Sequence, residues 1–433
     1  MVSTLFKFGL PLAGLALLYQ AVLRDLIFVV YAVGRNVQPV SDFPYTCRRI
    51  EDERIEACED MWLSGSTRQL FLACSESAPR AQWMPNVGLF NHSRRSLSDV
   101  VIAVDIDKPT AKGDKHSFEH RLLETPNYPV ELHDDKFLHL VGLTGIDGPT
   151  AIELFLVNNK PSREPTSGAF LDHTIHGANS TIEKFTTGPA ATQMKHVRTY
   201  SHPHIATPNN IATAPGMQGF YITNDHGTNK VGIWHTLSDY LGLGDVTYCD
   251  TSSPSELKCA KVAGGFKFPN GLMYHPEHNL LYVPSAAVGN IHVYEPQVLA
   301  GSTIPNLKKV HEIKIPYPMD NLSLDPSTGD IYAAIFPKPL QMMAGFSDPV
   351  HMTASSAAMR IRLISNDGGI LRYETEKVIE DTGERNTPLT ASTTVVRDGK
   401  TGRLFMSGKH IPCTWLTYPL TSSRRLLPLH HSL

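Results

Sequence analysis

Asp325-Pro326-Ser327-Thr328-Gly329-Asp330-Ile331-Tyr332-Ala333-Ala334 is a tight polar turn running into a short apolar strand that carries an aromatic residue. The same pattern returns at Ser64 to Ala73, Asp147 to Val157, Ala214 to Thr223, His275 to Val283 and Arg397 to Met406. The intervals are uneven, roughly 50 to 85 residues, as expected of one sheet module repeated with loop insertions. Six modules predict an all-β chain, a six-bladed β-propeller with an N-terminal hydrophobic helix. Its four-stranded blades would bring loops from distant parts of the sequence to one mouth. A two-sheet sandwich is the rival, but the implied strand number exceeds what one sandwich holds. The expected plan is a hydrophobic signal or anchor helix over 1–37, the propeller over 38–413 and a tail over 414–433.

Composition narrows the function. The chain has 433 residues, 41% of them hydrophobic, and a net charge of −3. That supports a large core and supplies no basic stripe for nucleic acid, so a small-molecule partner is expected. From Leu5 to Val33 only Lys7, Gln20, Arg24 and Asp25 interrupt an apolar run. Arg24 and Asp25 are costly at a bilayer centre and no small-residue cleavage site follows Leu23. The segment therefore reads as an uncleaved secretory signal or anchor, ahead of a cleaved peptide or a buried soluble helix. It implies membrane association and the secretory pathway, anchored at the endoplasmic reticulum or cell surface, or secreted. Six cysteines suit an oxidising compartment: Cys58 and Cys74 bracket one hairpin, Cys249 and Cys259 another, and Cys47 and Cys413 stand near the ends. Six cysteines allow fifteen connectivities. Asn91 and Asn179 lie in glycosylation sequons; a third sequon, at Asn321, falls where burial is expected.

Chemistry concentrates in four polar clusters beside predicted strands: Glu59-Asp60, Asn209-Asn210, the Pro269-Asn270-Gly271 turn and Asp320-Asn321. Carboxylates mixed with carboxamides are oxygen donors suited to a hard cation, calcium above all. Successive strand residues point to opposite faces, so each adjacent pair should divide between two ions stacked in the channel. Asn270 sits in a turn expected to take unusual backbone angles. Glu59, Asn209, Asn270, Asp320 and Asn321 would give one ion five side chains and two charges, leaving a position open for water or substrate. Neither Gly-x-Ser-x-Gly nor His-Glu-x-x-His occurs, which sets aside serine-hydrolase and zinc-protease readings.

In order along the chain, Glu59-Asp60, Asn209-Asn210-Ile211, Phe220 to His226, Gly265 to Gly271, Ile291 to Glu295 and Asp320 to Pro326 resemble the serum paraoxonase/arylesterase family. The resemblance runs from about Gln38 to Cys413. It implies a six-bladed propeller with two calcium ions that hydrolyses lactones, aryl esters and, promiscuously, organophosphates. It places Glu59, Asn209, Asn270, Asp320 and Asn321 on a catalytic calcium, and Asp60, Asn210 and the Leu143 carbonyl on a structural one. It also implies a Cys47–Cys413 bond joining the ends.

The departures bear on mechanism. Val141 and Asn159 stand where the family has its proton-transferring histidines, Phe336 stands at a third, and Asn210 replaces an Asp, which should weaken the structural calcium. His139, expected to share a strand face with Val141, is the best substitute base. His202 and His204 mimic a metal-binding pair, while Asp225-His226 is expected to orient the metal shell. Glu59 or Asp320 could also help deprotonate water. The reading is a calcium-dependent hydrolase of lactones or aryl esters. The alternative is a calcium-stabilised propeller with altered chemistry or none, either a binding module or a biosynthetic enzyme. A strictosidine synthase-like propeller would not need this ligand set.

Overall fold

The computed structural model describes residues 13–17, 19–50, 52, 54–112, 115–128, 135–384, 386–408 and 411–417. Within them lie six four-stranded antiparallel sheets, the blades of a propeller. The first comprises Asp60–Leu63, Gln69–Cys74, Val100–Lys112 and Lys115–Leu123. The second comprises Leu140–Asp147, Ile152–Pro161, Ala178–Thr187 and Lys195–Tyr200. The third comprises Pro208–Ala212, Gly219–Asn224, Gly244–Asp250 and Lys258–Phe266. The fourth holds Met273–His275, Leu280–Ser285, Asn290–Gln297 and Asn306–Lys314, and the fifth Met319–Leu324, Ile331–Ile335, Ser356–Asp367 and Ile370–Asp381. The sixth is composite: Ser392–Arg397, Leu404–Gly408 and Ile411–Thr417 are completed by Thr46–Arg49 from the other end of the chain. Its last strand runs past the boundary expected at Cys413.

The six turn-and-strand segments of the sequence are the second strands of the six blades, nearly all buried. The Asp-Pro-Ser-Thr-Gly turn owes its shape to Asp325, whose carboxylate accepts the Ser327 N–H at 2.9 Å and the Thr328 hydroxyl at 3.0 Å. Arg397 of the sixth blade ion-pairs with the same carboxylate, so the turn also fastens neighbouring blades. Apolar side chains pack between adjacent sheets; Tyr282, Ile291 and Val293 of the fourth blade lie against Ile331, Ala333 and Ile335 of the fifth.

Each blade's first strand touches the first strands of its two neighbours, closing a ring around the axis. Pairing slips at or near the start of four of these inner strands, between Leu140 and Leu143, Pro208 and Ile211, Met319 and Leu322, and Ser392 and Thr394. The first three bulges each free two consecutive residues from the ladder and re-aim their side chains, and the last frees Thr393 alone. Those residues include Asn209-Asn210 and Asp320-Asn321.

Cys58–Cys74 and Cys249–Cys259 are disulfides. Cys47 is a free thiol, which corrects the end-to-end bond. Thr46–Arg49 pairs with Ile411–Thr417 so that Cys47 faces Leu416. Cys413 sits three register positions away, roughly 10 Å along the strand and beyond disulfide reach; its side chain lies outside the described residues. Burial, then the charge of Asp381, pushes the Cys47 thiol up to about 12.

Residues 19–30 are helical, and no helix among the described residues is long and apolar enough to cross a membrane. The start of the expected anchor, 1–12, and the tail beyond Thr417 lie outside the described residues. Gly232–Leu241 is a helix, ended by left-handed Gly242. Two further helices lie in connections between strands, the short His173–His176 and Pro339–Ser347.

Candidate metal and substrate site

All six inner strands bring polar groups to one end of the ring. Glu59 and Asp60 open the first strand, Leu143 lies in the second, Asn209-Asn210 in the third, Asn270 just before the fourth, Asp320-Asn321 in the fifth and Thr394 in the sixth. Glu59, Asp60, Asn209, Asn210, Asn270, Asp320 and Asn321 are all at most 5% exposed. Three non-glycine residues with positive φ, Ala57, Phe268 and Ala391, stand immediately upstream of these strand starts. Such angles cost energy and persist where the surrounding fold imposes them. The unusual angle expected at Asn270 is carried instead by Phe268. Gly271 serves through closeness: a Cβ there would lie 2.5 Å from the Asn321 Cα.

The adjacent pairs divide as the strand geometry requires. Asn209 donates to the Asp225 carboxylate at 3.3 Å, whereas Asn210 turns the other way, to Asp60 at 2.9 Å and to Asn321 Oδ1 at 2.8 Å. Asp60 also accepts the Met61 N–H at 2.8 Å, the Leu143 N–H at 2.8 Å and the Thr394 hydroxyl at 3.0 Å. Burial pushes its carboxyl up to about 7, with these hydrogen bonds opposing. The Leu143 group that meets Asp60 is thus its N–H. Asn321 donates to Thr394 at 2.8 Å and to the Glu59 carbonyl at 3.3 Å. Asn270 differs: its Oδ1 is buried and receives no hydrogen bond among the described residues.

Asp225 and His226 buttress this rim. Asp225 accepts from both Asn86 and Asn209, and burial raises its pKa. His226 Nε2 donates to the Asn86 carbonyl at 2.8 Å, its Nδ1 meets the Ser238 hydroxyl, and its ring stacks on His235 at 3.7 Å. Both ring nitrogens are engaged, so His226 is held in place and in turn positions its neighbours. His202 and His204 stack on each other at 5.4 Å, and the His204 N–H donates to His202 Nδ1, so the pair is occupied with itself.

Beside Glu59 opens a small cavity lined by Ser75, Arg80, Trp83, Met84, Pro85, Ser96, Asp99, His139, Leu140, Val141 and Asn159. Val141 and Asn159, which stand at the family's histidine positions, meet His139 here. His139 Nε2 lies 3.0 Å from Asp135 Oδ2, and Asp135 also accepts from Arg95 Nε at 3.2 Å. Burial would raise the Asp135 carboxyl, but His139 and Arg95 outweigh it and hold it at about 2. Asn159 donates to Asn86 Oδ1 at 2.7 Å, its carbonyl accepts from Trp83 Nε1, and its buried Oδ1 has no partner among the described residues. Arg80 reaches the Leu140 carbonyl at 2.8 Å and lies 3.8 Å from Glu59 Oε2; its buried Nε has no partner among the described residues.

The sequence reading missed Arg80, Asn86, Asp135 and Thr394. None carried a motif, because their partners lie far off in the sequence, apart from Asp135 four residues before His139. That spacing was the one available signal. Phe336 lies away from the cavity, packed with Met342, Ala354 and Ala391. Asn91 and Asn179, the sequon residues, are exposed, and Asn321 is buried.

Residues 164–374 match the Arylesterase family model. Serum paraoxonase/arylesterase 2 of Homo sapiens is 30% identical over 226 residues, 52% of this chain and 55% of that protein. Serum paraoxonase/arylesterase 1 of Homo sapiens is 32% identical over 218 residues, 50% of this chain and 55% of that protein. The chain thus spans about half the length of the curated relatives it matches. A solved luciferin-regenerating enzyme superposes with a TM-score of 0.45 at 11% identity, covering 86% of this chain and 95% of its own. On the stretch 164–374, this chain is similar to the paraoxonase/arylesterase family.

Proposed function

We propose that the chain is a calcium-dependent hydrolase of carboxylic esters or lactones. One observation carries the reading: Asn270 presents a buried amide oxygen with no hydrogen bond among the described residues, on a rim that also gathers the buried carboxylates Glu59 and Asp320 and the amide of Asn209. Orphaned buried oxygens are costly unless a cation or water meets them. Glu59, Asn209, Asn270 and Asp320, with Asn321 at the rim's inner side, would hold the ion. When bound, calcium supplies polarisation of the substrate carbonyl and stabilisation of the oxyanion.

The chain's own groups do the rest. Trp83, Met84, Pro85 and Val141 wall the cavity with apolar surface, hold the acyl group and exclude water. Arg80 offers its unused Nε–H to a substrate oxygen, and Asn159 Oδ1 accepts from a substrate hydroxyl or from the attacking water. Asp135 accepts only, so it fixes the His139 proton on Nε2 and leaves Nδ1 as the basic nitrogen. His139 then takes a proton from water as it adds to the carbonyl and returns it to the leaving oxygen. Asp225 and His226 hold Asn209 and Asn86 in place. The two disulfides fit an oxidising compartment, and we place the protein in the secretory pathway, its N-terminal segment associating with the membrane.

The test is hydrolysis of a panel of aryl esters and five- and six-membered lactones by the purified chain, in calcium and in chelator. Chelation and Glu59→Gln should abolish turnover, and His139→Gln should reduce it by about 10² or more. A calcium-loaded chain that turns over no member of the panel sinks the proposal.

A further inference from the structure

We propose that the inner of the two cation sites takes no ion in this chain, because the side-chain amide of Asn210 occupies the cation's place. Asp60, Asn210 and the Leu143 carbonyl are the group the family resemblance assigns to a structural calcium, and here they do not fit one. The amide orientation is fixed by chemistry. Asn210 Oδ1 accepts the Ile211 N–H at 2.6 Å, and a backbone N–H can only donate, so the opposite atom is Nδ2. That NH₂ sits between Asp60 Oδ2 and Asn321 Oδ1, bonded to both, as a bridging cation would be.

The remaining valences are used. Asp60 Oδ1 holds the Met61 N–H and shares the Thr394 hydroxyl with the Glu59 carbonyl, and Oδ2 holds the Leu143 N–H and the Asn210 amide. A carboxylate has about four lone-pair sites, and donors face all of them. Calcium needs six to eight oxygens at about 2.3–2.6 Å, yet this group offers one carboxylate already saturated by donors. Nor can the strands part to make room. A Cβ at Gly142 would lie 2.4 Å from the Asn209 carbonyl oxygen, and one at Gly271 2.2 Å from Asn321 Oδ1. The amide therefore ties the first, third and fifth inner strands together without metal.

This inference rests on the proposed function only for the outer ion, and the experiment separates the two. The full chain is stripped with chelator and titrated with calcium by calorimetry, with bound ion counted by emission spectroscopy. The wild type should bind one calcium per chain. Asn210→Asp sets a second carboxylate against Asp60, a repulsion that only a proton or a cation relieves, and should bind two. Its melting temperature should also rise with calcium further than the wild type's. If Asn210→Asp folds only with calcium present, bound ion is counted on protein refolded in it. Two ions on the wild type, or no gain in folded Asn210→Asp, overturn the inference. None on the wild type with one on Asn210→Asp upholds it and removes calcium from the proposed function instead.

Discussion

Replacing Asp135 by Asn tests whether the His139 arrangement is built as described. The carboxylate is 1% exposed and meets His139, Arg95 and, at 3.8 Å, Arg163. Its pKa is held at about 2 against an ordinary 3.8, which by linkage is worth about 2 kcal/mol at neutral pH and somewhat less after solvent screening. The substitution also leaves Arg95 and His139 facing a neutral amide, and stranding a buried partner costs about 3–5 kcal/mol where burial is complete. Arg95 retains some solvent access, so a loss of about 2–4 kcal/mol is expected. The sign with pH follows from the depressed value: the carboxylate's contribution is complete above pH 3.8 and is lost as pH falls through 2. Urea unfolding at pH 7 should therefore show the Asp135→Asn variant well below wild type, and the gap should narrow by about 1–2 kcal/mol between pH 5 and pH 2. Equal stabilities at pH 7, or a gap that stays constant in acid, would refute the assignment of these three partners to one carboxylate.

Gly271→Ala places a Cβ against the Asn321 backbone, and a loss of about 1–3 kcal/mol by calorimetric melting is expected, together with weakened calcium binding. Opening Cys58–Cys74, which spans 16 residues, should cost about 3 kcal/mol, and a reducing agent should lower the wild-type melting temperature but not that of Cys58→Ser/Cys74→Ser/Cys249→Ser/Cys259→Ser. Burial, then the charge of His226, holds His235 down at about 4. Its neutral form thus favours folding fully above pH 6.5, and about 1–2 kcal/mol after screening should disappear between pH 6.5 and pH 4; urea titrations of His235→Phe should lack that part of the slope.

The hairpin repeat was legible because a buried second strand needs a continuous apolar run and a polar turn before it, and both are local. Segments such as Leu70 to Ala73 and Ile331 to Ile335 therefore reveal themselves without their neighbours. The oxygen-rich rim was legible for a similar reason: carboxylates and carboxamides beside apolar strands are conspicuous. What they bond to was not. Whether Asn210 faces an ion or the Asp60 carboxylate depends on a bulge between Pro208 and Ile211, and bulges leave no local signature in Pro-Asn-Asn-Ile. Arg80 and Asp135 acquire meaning only through Glu59, Arg95 and His139, which the fold brings up from elsewhere. The Cys47–Cys413 bond failed on register, since a strand pairing of the right ends still sets the two cysteines three positions apart.

Because Thr46–Arg49 completes the sheet begun at Ser392, the first propeller strand to be synthesised must wait for one of the last. Each of the first five blades can zip up as its own four strands emerge, and the Cys58–Cys74 and Cys249–Cys259 bonds can form within single hairpins during synthesis. Closure cannot; it pairs residues separated by most of the chain, the contact with the largest loop entropy to overcome. Until it happens, Thr46–Arg49 is an unpaired edge and Cys47 an accessible thiol. The same strand that seals the finished ring is thus the nascent chain's exposed handle, the place where a chaperone or a thiol oxidoreductase would find an unfinished molecule and distinguish it from a finished one.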